Sequence, residues 1–165
     1  MTITAEQRRI SLSHPAGWIA TGFGSGLSPV APGTVGSLAA LLPWFALREL
    51  SWPLYVAAIA FGFALGVWAC GWVVRALHVD DPGFAVWDEF VGLWIALLPL
   101  LWHPLSFAWI IFGFILFRFF DIVKPWPVSW ADRKLSGGLG VMLDDVFAGI
   151  YAALALAGVT WFMGY

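Results

Sequence analysis

The sequence predicts an all-α fold: a polytopic membrane helical bundle with short hairpins and a polar cytoplasmic face. Hydrophobic residues make up 61% of the 165 residues and charged residues only 11%, whereas soluble domains average about 45–50% and about 25%. The apolar residues also gather into five segments, at about 35–47, 54–74, 90–102, 105–120 and 146–163. Lipid offers the backbone no hydrogen-bond partners, so these segments are expected to be helices.

The segments differ in length. The second, 54–74, carries no charge and is long enough for a hydrocarbon core of about 30 Å. The first and third, 35–47 and 90–102, are shorter, so each is expected to be tilted, re-entrant or a half-span. The connectors at 48–53 and around 103–104 are short and contain proline, which predicts helical hairpins.

The distribution of charge predicts a single polar face. If the N-terminus lies inside and every segment crosses, only Arg48 and Glu49 fall outside, and seven of the eight Lys and Arg residues fall inside. This agrees with the positive-inside rule. The same arrangement brings three polar stretches, 22–37, 75–89 and 118–145, to the cytoplasmic side. We therefore expect any chemistry at that face.

The remaining features restrict the class of protein. The first residues include two arginines but no apolar run, which predicts an N-terminal cytoplasmic tail at 1–17 rather than a signal peptide. A single membrane-embedded domain is predicted at 18–165. Cys70 is the only cysteine, which excludes a disulfide within the chain and a cysteine metal site. Nothing indicates a nucleic-acid partner, and the sequence leaves the oligomeric state open.

Two acidic pairs precede apolar segments. Asp88 and Glu89 come before the third segment, as Asp144 and Asp145 come before the fifth. One such pair alone is equally well explained by helix capping and the helix dipole, which contribute about 0.3–1 kcal/mol. Two pairs on one face would repel each other unless a cation lay between them. Ligands that are all oxygen favour Mg²⁺, Mn²⁺ or Ca²⁺.

Basic and glycine-rich stretches lie on the same predicted face. Arg118, Asp121 and Lys124 are spaced by threes, which on a helix places them near one face. They predict a phosphate pocket, with snorkelling to the lipid headgroups as the alternative. In the stretch 22–37, free backbone N–H groups and hydroxyls at the start of the first helix predict an anion site, with an ordinary loop as the alternative.

Three motifs carry a resemblance to a known family: GSGLSPVAPGTVGS at 24–37, DPGFAVWDEFVG at 81–92, and FRFFDIVKPWP with DRKLSGGLGVMLDDVFAG across 117–149. In this order they resemble the phosphatidylglycerophosphatase A family over about residues 17–155. The resemblance implies a multi-pass, Mg²⁺-dependent phosphatase of the bacterial inner membrane. Such an enzyme, with its active site facing the cytoplasm, converts phosphatidylglycerophosphate to phosphatidylglycerol and inorganic phosphate.

The resemblance also assigns roles to residues. The implied catalytic acids are Asp88, Glu89, Asp121, Asp144 and Asp145. We expect Mg²⁺ to be held by Asp88, Glu89, Asp144 and Asp145. The expected phosphate-binding residues are Arg118, Lys124, Gly33, Thr34, Gly36 and Ser37. The partners implied are a phospholipid substrate and the bilayer that holds its acyl chains. Asp81 and Arg133 are weaker matches to the family motifs.

One rival class is a small cation carrier or channel subunit, because carboxylates within membranes often mark cation pathways. Such a protein would carry charges at the middle of its spans, whereas here the acids gather at one surface. A CDP-alcohol phosphotransferase would need the motif DGx2ARx8Gx3Dx3D, which the sequence lacks. The DxDx[TV] pattern of aspartyl-phosphate phosphatases and the HCx5R pattern of cysteine phosphatases are also missing. These observations favour water activated by a metal ion.

Overall fold

The computed structural model describes residues 3–79 and 82–164, and this part of the chain is helical, with no strand. The α-helices follow in the order α1 (Ala5–Leu12), α2 (Pro15–Ala20), α3 (Pro32–Leu47), α4 (Trp52–Leu77), α5 (Trp87–Ala96), α6 (Phe107–Val123), α7 (Val128–Lys134) and α8 (Gly137–Phe162). Two short 3-10 segments, Ser25–Leu27 and Leu98–Trp102, precede α3 and follow α5. The predicted all-α class is confirmed.

Two helices, α4 and α8, are long and apolar enough to cross a membrane, each with 26 residues. A rise of about 1.5 Å per residue makes each longer than a hydrocarbon core of about 30 Å. The predicted third segment is instead interrupted. Its α5 part has 10 residues and is too short to span, and a 3-10 segment containing Pro99 follows it. How many of the shorter helices cross the membrane stays a prediction.

One predicted boundary was wrong. Helix α8 begins at Gly137, nine residues before the predicted segment. Asp144 and Asp145 therefore lie about two turns inside the helix, where they neither cap it nor face its N-terminal dipole. The glycine-rich sequence at the start of α8 is typical of a loop. It is helical because Gly138 packs against the backbone of Gly71 on α4, where a side chain would collide.

The first helices pack on the bundle. Ala16, Gly17 and Ala20 of α2 are buried, and α2 packs against α4. The His14 ring stacks on that of Trp72, with the ring centroids 4.3 Å apart. Part of the predicted tail is thus ordered against α4, whereas the domain boundary at residues 17 and 18 stays a prediction.

Helix α8 is central, since it packs against α4, α5, α6 and α7. Its crossing with α5 depends on two glycines. A Cβ atom on Gly149 would collide with the carbonyl oxygen of Gly92, and a Cβ atom on Gly92 would lie 2.8 Å from the carbonyl oxygen of Asp145. This close approach brings the acidic pair of α8 next to the acidic pair of α5.

A chain of buried hydrogen bonds joins α3, α4 and α5. The Trp44 indole N–H donates to the Tyr55 hydroxyl at 3.1 Å, and that hydroxyl donates to the Trp94 carbonyl at 2.6 Å. The Trp94 indole N–H then donates to the Ala40 carbonyl at 3.0 Å. Because each donor is buried and partnered, these bonds fix how α3 and α5 lie against each other.

The glycine contact between α5 and α8 predicts the effect of a single added methyl group. We expect Gly149→Ala to lower the free energy of unfolding by about 1–3 kcal/mol, the usual range for overpacking. Thermal unfolding in detergent, followed by tryptophan fluorescence, would measure it. Gly158→Ala on the same helix is the control, because a Cβ atom there meets nothing within 4 Å. Equal stability of the two variants would contradict the proposed contact.

Candidate active site

A polar cavity of about 190 Å³ lies at one end of the bundle, between α5, the end of α6, α7 and α8. Carboxylates dominate its walls. The acids that line it are Asp88, Glu89, Asp121, Asp132, Asp144 and Asp145. The structure therefore places all five predicted catalytic acids at one cavity and adds a sixth, Asp132.

Arg118 on α6 lies beside two of these acids but is not itself among the residues that line the cavity. Its guanidinium forms an ion pair with Glu89 of α5 and another with Asp121 at 2.9 Å, one turn along its own helix. The Ser37 hydroxyl of α3 donates to the same Glu89 carboxylate at 2.7 Å. The side chains of α3, α5 and α6 thus meet at Glu89, and only 16% of the Arg118 side chain is exposed.

Lys124 is a basic residue that does line the cavity. It caps the C-terminus of α6 in the left-handed backbone region, with φ +46°. Its ammonium group donates to Asp132 of α7 and, at 2.9 Å, to Asp144 of α8. Burial lowers the pKa of Lys124, but the bonds and charges of these two carboxylates raise it overall. The ammonium group therefore stays charged at neutral pH.

The acids at the start of α5 are affected by burial and by one another. Burial raises the pKa of Asp88 well above its usual range, and the charges of Glu89 and Asp144 raise it further. Burial and the charge of Asp121 raise the pKa of Glu89 to about 7, although Arg118 opposes this shift. The raised pKa values mean that these acids hold protons more tightly than free carboxyls do, and a bound cation would favour their ionised forms.

Asp145 supplies the clearest indication that the cavity suits a ligand. Only 2% of this residue is exposed, and its Oδ2 atom has no hydrogen-bond partner in the described part of the chain. Leaving such an oxygen buried and unpaired is costly, by about 1–3 kcal/mol or more for a charged group. A carboxylate oxygen in a cavity lined by other carboxylates suits a hard cation such as Mg²⁺.

The acids do not form a complete metal centre as they stand. Across residues 3–79 and 82–164, no three Asp, Glu, His or Cys side chains are arranged to hold one ion. One oxygen of Asp88 accepts a backbone N–H from Glu89, and one oxygen of Asp144 accepts the N–H of Asp145. Glu89 and Asp144 also face Arg118 and Lys124. Binding of an ion would therefore require some side chains to turn from these partners.

The predicted anion site at the start of α3 is only partly at the cavity. Gly33 lines it, and a Cβ atom there would collide with the Glu89 carboxylate and lie 3.3 Å from the Arg118 guanidinium. Ser37 is buried against Glu89, Gly36 packs on Val86, and Thr34 is not a lining residue. The start of α3 therefore contributes mainly by positioning Glu89.

Sequence reasoning missed a role for Asp132. The signal was present, since Asp132 opens the sequence DRKLSGG in the third motif. Helix α7 brings it back to Lys124, eight residues earlier in the chain. Asp81 of the second motif lies outside the described residues. Arg133 donates to the Ser129 carbonyl of its own helix and does not line the cavity.

Comparison with known proteins identifies the family. The model for phosphatidylglycerophosphatase A matches residues 18–160. The chain belongs to the phosphatidylglycerophosphatase A family. A phosphatidylglycerophosphatase A from Escherichia coli is 43% identical over 157 residues, which cover 95% of this chain and 88% of the relative. One from Haemophilus influenzae is also 43% identical, over 164 residues that cover 99% of both chains.

A third relative, from Bacteroides thetaiotaomicron, is named as a candidate phosphatidylinositol-3-phosphatase. It is 42% identical over 152 residues, which cover 88% of this chain and 94% of the relative. No solved structure matches this chain. The predicted family and the prediction of a phosphatase are thus confirmed, and the metal and the individual site residues stay predictions.

The contact at Gly33 leads to a test of the site. We expect Gly33→Ala to lower kcat/KM by about 100-fold, because displacement of a functional group by about 1 Å can cost that much. The thermal midpoint should change little, since only the ends of two side chains are displaced. Phosphate release and thermal unfolding would be measured together. Gly158→Ala adds the same methyl group in open space and should keep full activity. Wild-type activity of Gly33→Ala would contradict the placement of Glu89.

Proposed function

We propose that this protein hydrolyses the phosphate monoester of phosphatidylglycerophosphate, releasing phosphatidylglycerol and inorganic phosphate, with Mg²⁺ as cofactor. The relatives from Escherichia coli and Haemophilus influenzae are named for this substrate. The observation that carries the assignment of the site is the buried, unpaired Asp145 carboxylate oxygen at a cavity lined by five further acids. The cavity holds the headgroup phosphate, and the acyl chains remain in the bilayer.

The acids of α5 and α8 are suited to hold the metal ion. Asp88, Glu89, Asp144 and Asp145 would hold Mg²⁺, and the Oδ2 atom of Asp145 has no hydrogen-bond partner among the described residues that the ion would have to replace. When bound, the ion would supply a water of lowered pKa and neutralise charge on the phosphoryl group. Asp121 pairs with Arg118 and would keep that guanidinium beside the cavity if Glu89 turned toward the ion.

The two basic residues would bind the phosphate. Arg118 and Lys124 each present further N–H donors beyond those that the carboxylates use, and charged donors form the stronger hydrogen bonds to phosphate oxygens. They would hold the non-bridging oxygens while water attacks the phosphorus. A carboxylate of the cavity accepts the water proton, and the departing glycerol oxygen takes up a proton in turn.

We propose a multi-pass arrangement in the inner membrane with this cavity facing the cytoplasm. Gly33 at the start of α3 lies at the cavity, whereas Arg48 and Glu49 lie at the opposite end of that helix. Seven of the eight Lys and Arg residues are predicted on the cavity side, and the positive-inside rule assigns that side to the cytoplasm.

The alternative of a cation carrier is less well supported. The acids gather at one end of the bundle, and Gly92, which packs against Phe117 and the Asp145 backbone, is not among the residues that line the cavity. A transport path would continue with polar side chains across the membrane. The family match also favours the enzyme.

Phosphate release from phosphatidylglycerophosphate in mixed micelles tests the assignment. We expect activity with Mg²⁺ and none in EDTA. Asp145→Asn and Glu89→Gln should each lower kcat/KM by about 100-fold or more. Loss of a group that only supports a metal ligand typically costs about 10–100-fold in activity, and loss of the ligand itself should cost at least as much. Glu49→Gln is the matched control, since this exposed acid pairs only with Arg48 at the other end of α3.

A binding measurement separates the metal site from the substrate assignment. Electron paramagnetic resonance of Mn²⁺ should report an ion that Mg²⁺ displaces from the wild type and that Asp145→Asn binds weakly. Binding of Mn²⁺ without phosphate release would retain the metal site and refute the substrate. Activity that persists in EDTA would refute the metal, and cation flux through reconstituted vesicles would support the carrier.

The proposed orientation can be tested with single cysteines. The native Cys70 is buried, so its labelling background should be low. We expect Ser51→Cys, at the start of α4, to react with a membrane-impermeant maleimide in intact spheroplasts. Ser136→Cys, beside the cavity at the start of α8, should react only after permeabilisation. The reverse pattern would place the cavity outside the cytoplasm.

A further inference from the structure

We propose that Asp132 is a positioning residue for the reaction: it holds the Lys124 ammonium group at the cavity so that this group can bind the substrate phosphate. The inference rests on the proposed function, in which Lys124 contacts phosphate. Neither the family resemblance nor the comparisons with relatives assign a role to Asp132. Its place follows from the contact between α7 and the end of α6.

The backbone of Lys124 indicates that its side chain is held there at a cost. The residue lies in the left-handed region, which costs a residue other than glycine about 1–2 kcal/mol. Glycine or asparagine would end α6 without this strain. A lysine at this turn directs its ammonium group into the cavity, where Asp132 and Asp144 accept its hydrogen bonds.

The Lys124 ammonium group has a hydrogen-bond donor left for the substrate. An ammonium group has three N–H donors, and the described carboxylates use two of them. The third can donate to a phosphate oxygen. A group held by two fixed acceptors has a defined direction for its third donor, whereas a free lysine side chain samples many rotamers at a cost in entropy.

The two carboxylates that accept hydrogen bonds from Lys124, Asp132 and Asp144, differ in whether they are also proposed to bind the metal ion. Asp144 is one of the proposed Mg²⁺ ligands, so with the ion bound its carboxylate is shared between the ion and Lys124. Asp132 comes from another helix and is not among those ligands. It is therefore the acceptor that can keep Lys124 in place when the site is loaded.

The packing of helix α7 places Asp132 at the cavity. Val128 and Ala131 of this seven-residue helix are buried, and α7 packs against α8. Asp132 follows Ala131 directly, and its side chain is 34% exposed at the cavity. The neighbouring Arg133 and Lys134 are exposed and do not line the cavity. The docking of α7 thus presents one acid to Lys124.

The test is a double-mutant cycle on phosphate release in mixed micelles with Mg²⁺. We expect Asp132→Asn to raise KM, and the inhibition constant of inorganic phosphate, by about tenfold, with kcat within about threefold, the pattern of lost binding shared by ground and transition states. Lys124→Gln should show a similar or larger loss. In the Lys124→Gln background, adding Asp132→Asn should change KM and the inhibition constant little further. Asp132→Glu should keep much of the phosphate affinity that Asp132→Asn loses.

Two controls separate positioning from folding. Lys134→Gln changes a charge on the same helix away from the cavity and should leave both constants unchanged. Thermal unfolding of every variant would reveal undocking of α7. Three results together would mean a structural role and overturn the inference. The loss of phosphate affinity in Asp132→Asn would parallel a fall in the thermal midpoint, and it would multiply with the loss in Lys124→Gln. Asp132→Glu would also fail to restore the affinity.

The same cycle distinguishes failure of the inference from failure of the proposed function. If Lys124→Gln weakens phosphate binding but Asp132→Asn does not, the positioning role is refuted and the phosphate contact of Lys124 is retained. If Lys124→Gln behaves as wild type, Lys124 does not bind phosphate, and both the contact and the role of Asp132 are refuted. If the wild type releases no phosphate, the substrate assignment itself is refuted.

Discussion

Six acids line a cavity at one end of an apolar bundle, and the repulsion between their ionised forms is offset by positive charge or by protonation. Two basic residues do part of this. Arg118 pairs with Glu89 and Asp121, and Lys124 pairs with Asp132 and Asp144. Asp88 and Asp145 have no cationic side chain as partner among the described ion pairs. The repulsion that remains is what a bound cation would relieve, so the proposed Mg²⁺ and the packing of the helices act on the same electrostatic balance.

Close helix packing produces this concentration of charge. Without a side chain at Gly92 and Gly149, α5 and α8 approach until their backbones touch, and the acidic pairs come to the same cavity. The hydrogen bonds through Trp44, Tyr55 and Trp94 fix α3 against α5 on the other side. Ser37 is thereby placed beside Glu89. The site thus depends on contacts deep in the apolar part of the bundle.

The all-α fold and most acids of the candidate site could be predicted from the sequence, whereas features that depend on tertiary contacts could not. The positive-inside rule and the apolar segments place the acidic motifs on one face, and the structure brings those acids to one cavity. The start of α8 could not be predicted, because Gly137, Gly138 and Gly140 favour a loop when tertiary contacts are unknown. The ion pair between Lys124 and Asp132 also needs the fold, since it depends on where α7 docks.

The two basic residues of the cavity differ in a way that their chemistry explains. Arg118 is largely buried, and one terminal nitrogen of its guanidinium, Nη1, faces Glu89, Asp121 and Ser37. Lys124 lies nearer the opening, 31% exposed, and its ammonium group is compact and can rotate. Under the proposed function, we infer that Arg118 chiefly maintains the arrangement of the acids, whereas Lys124, which lines the cavity, is better placed to meet the substrate phosphate.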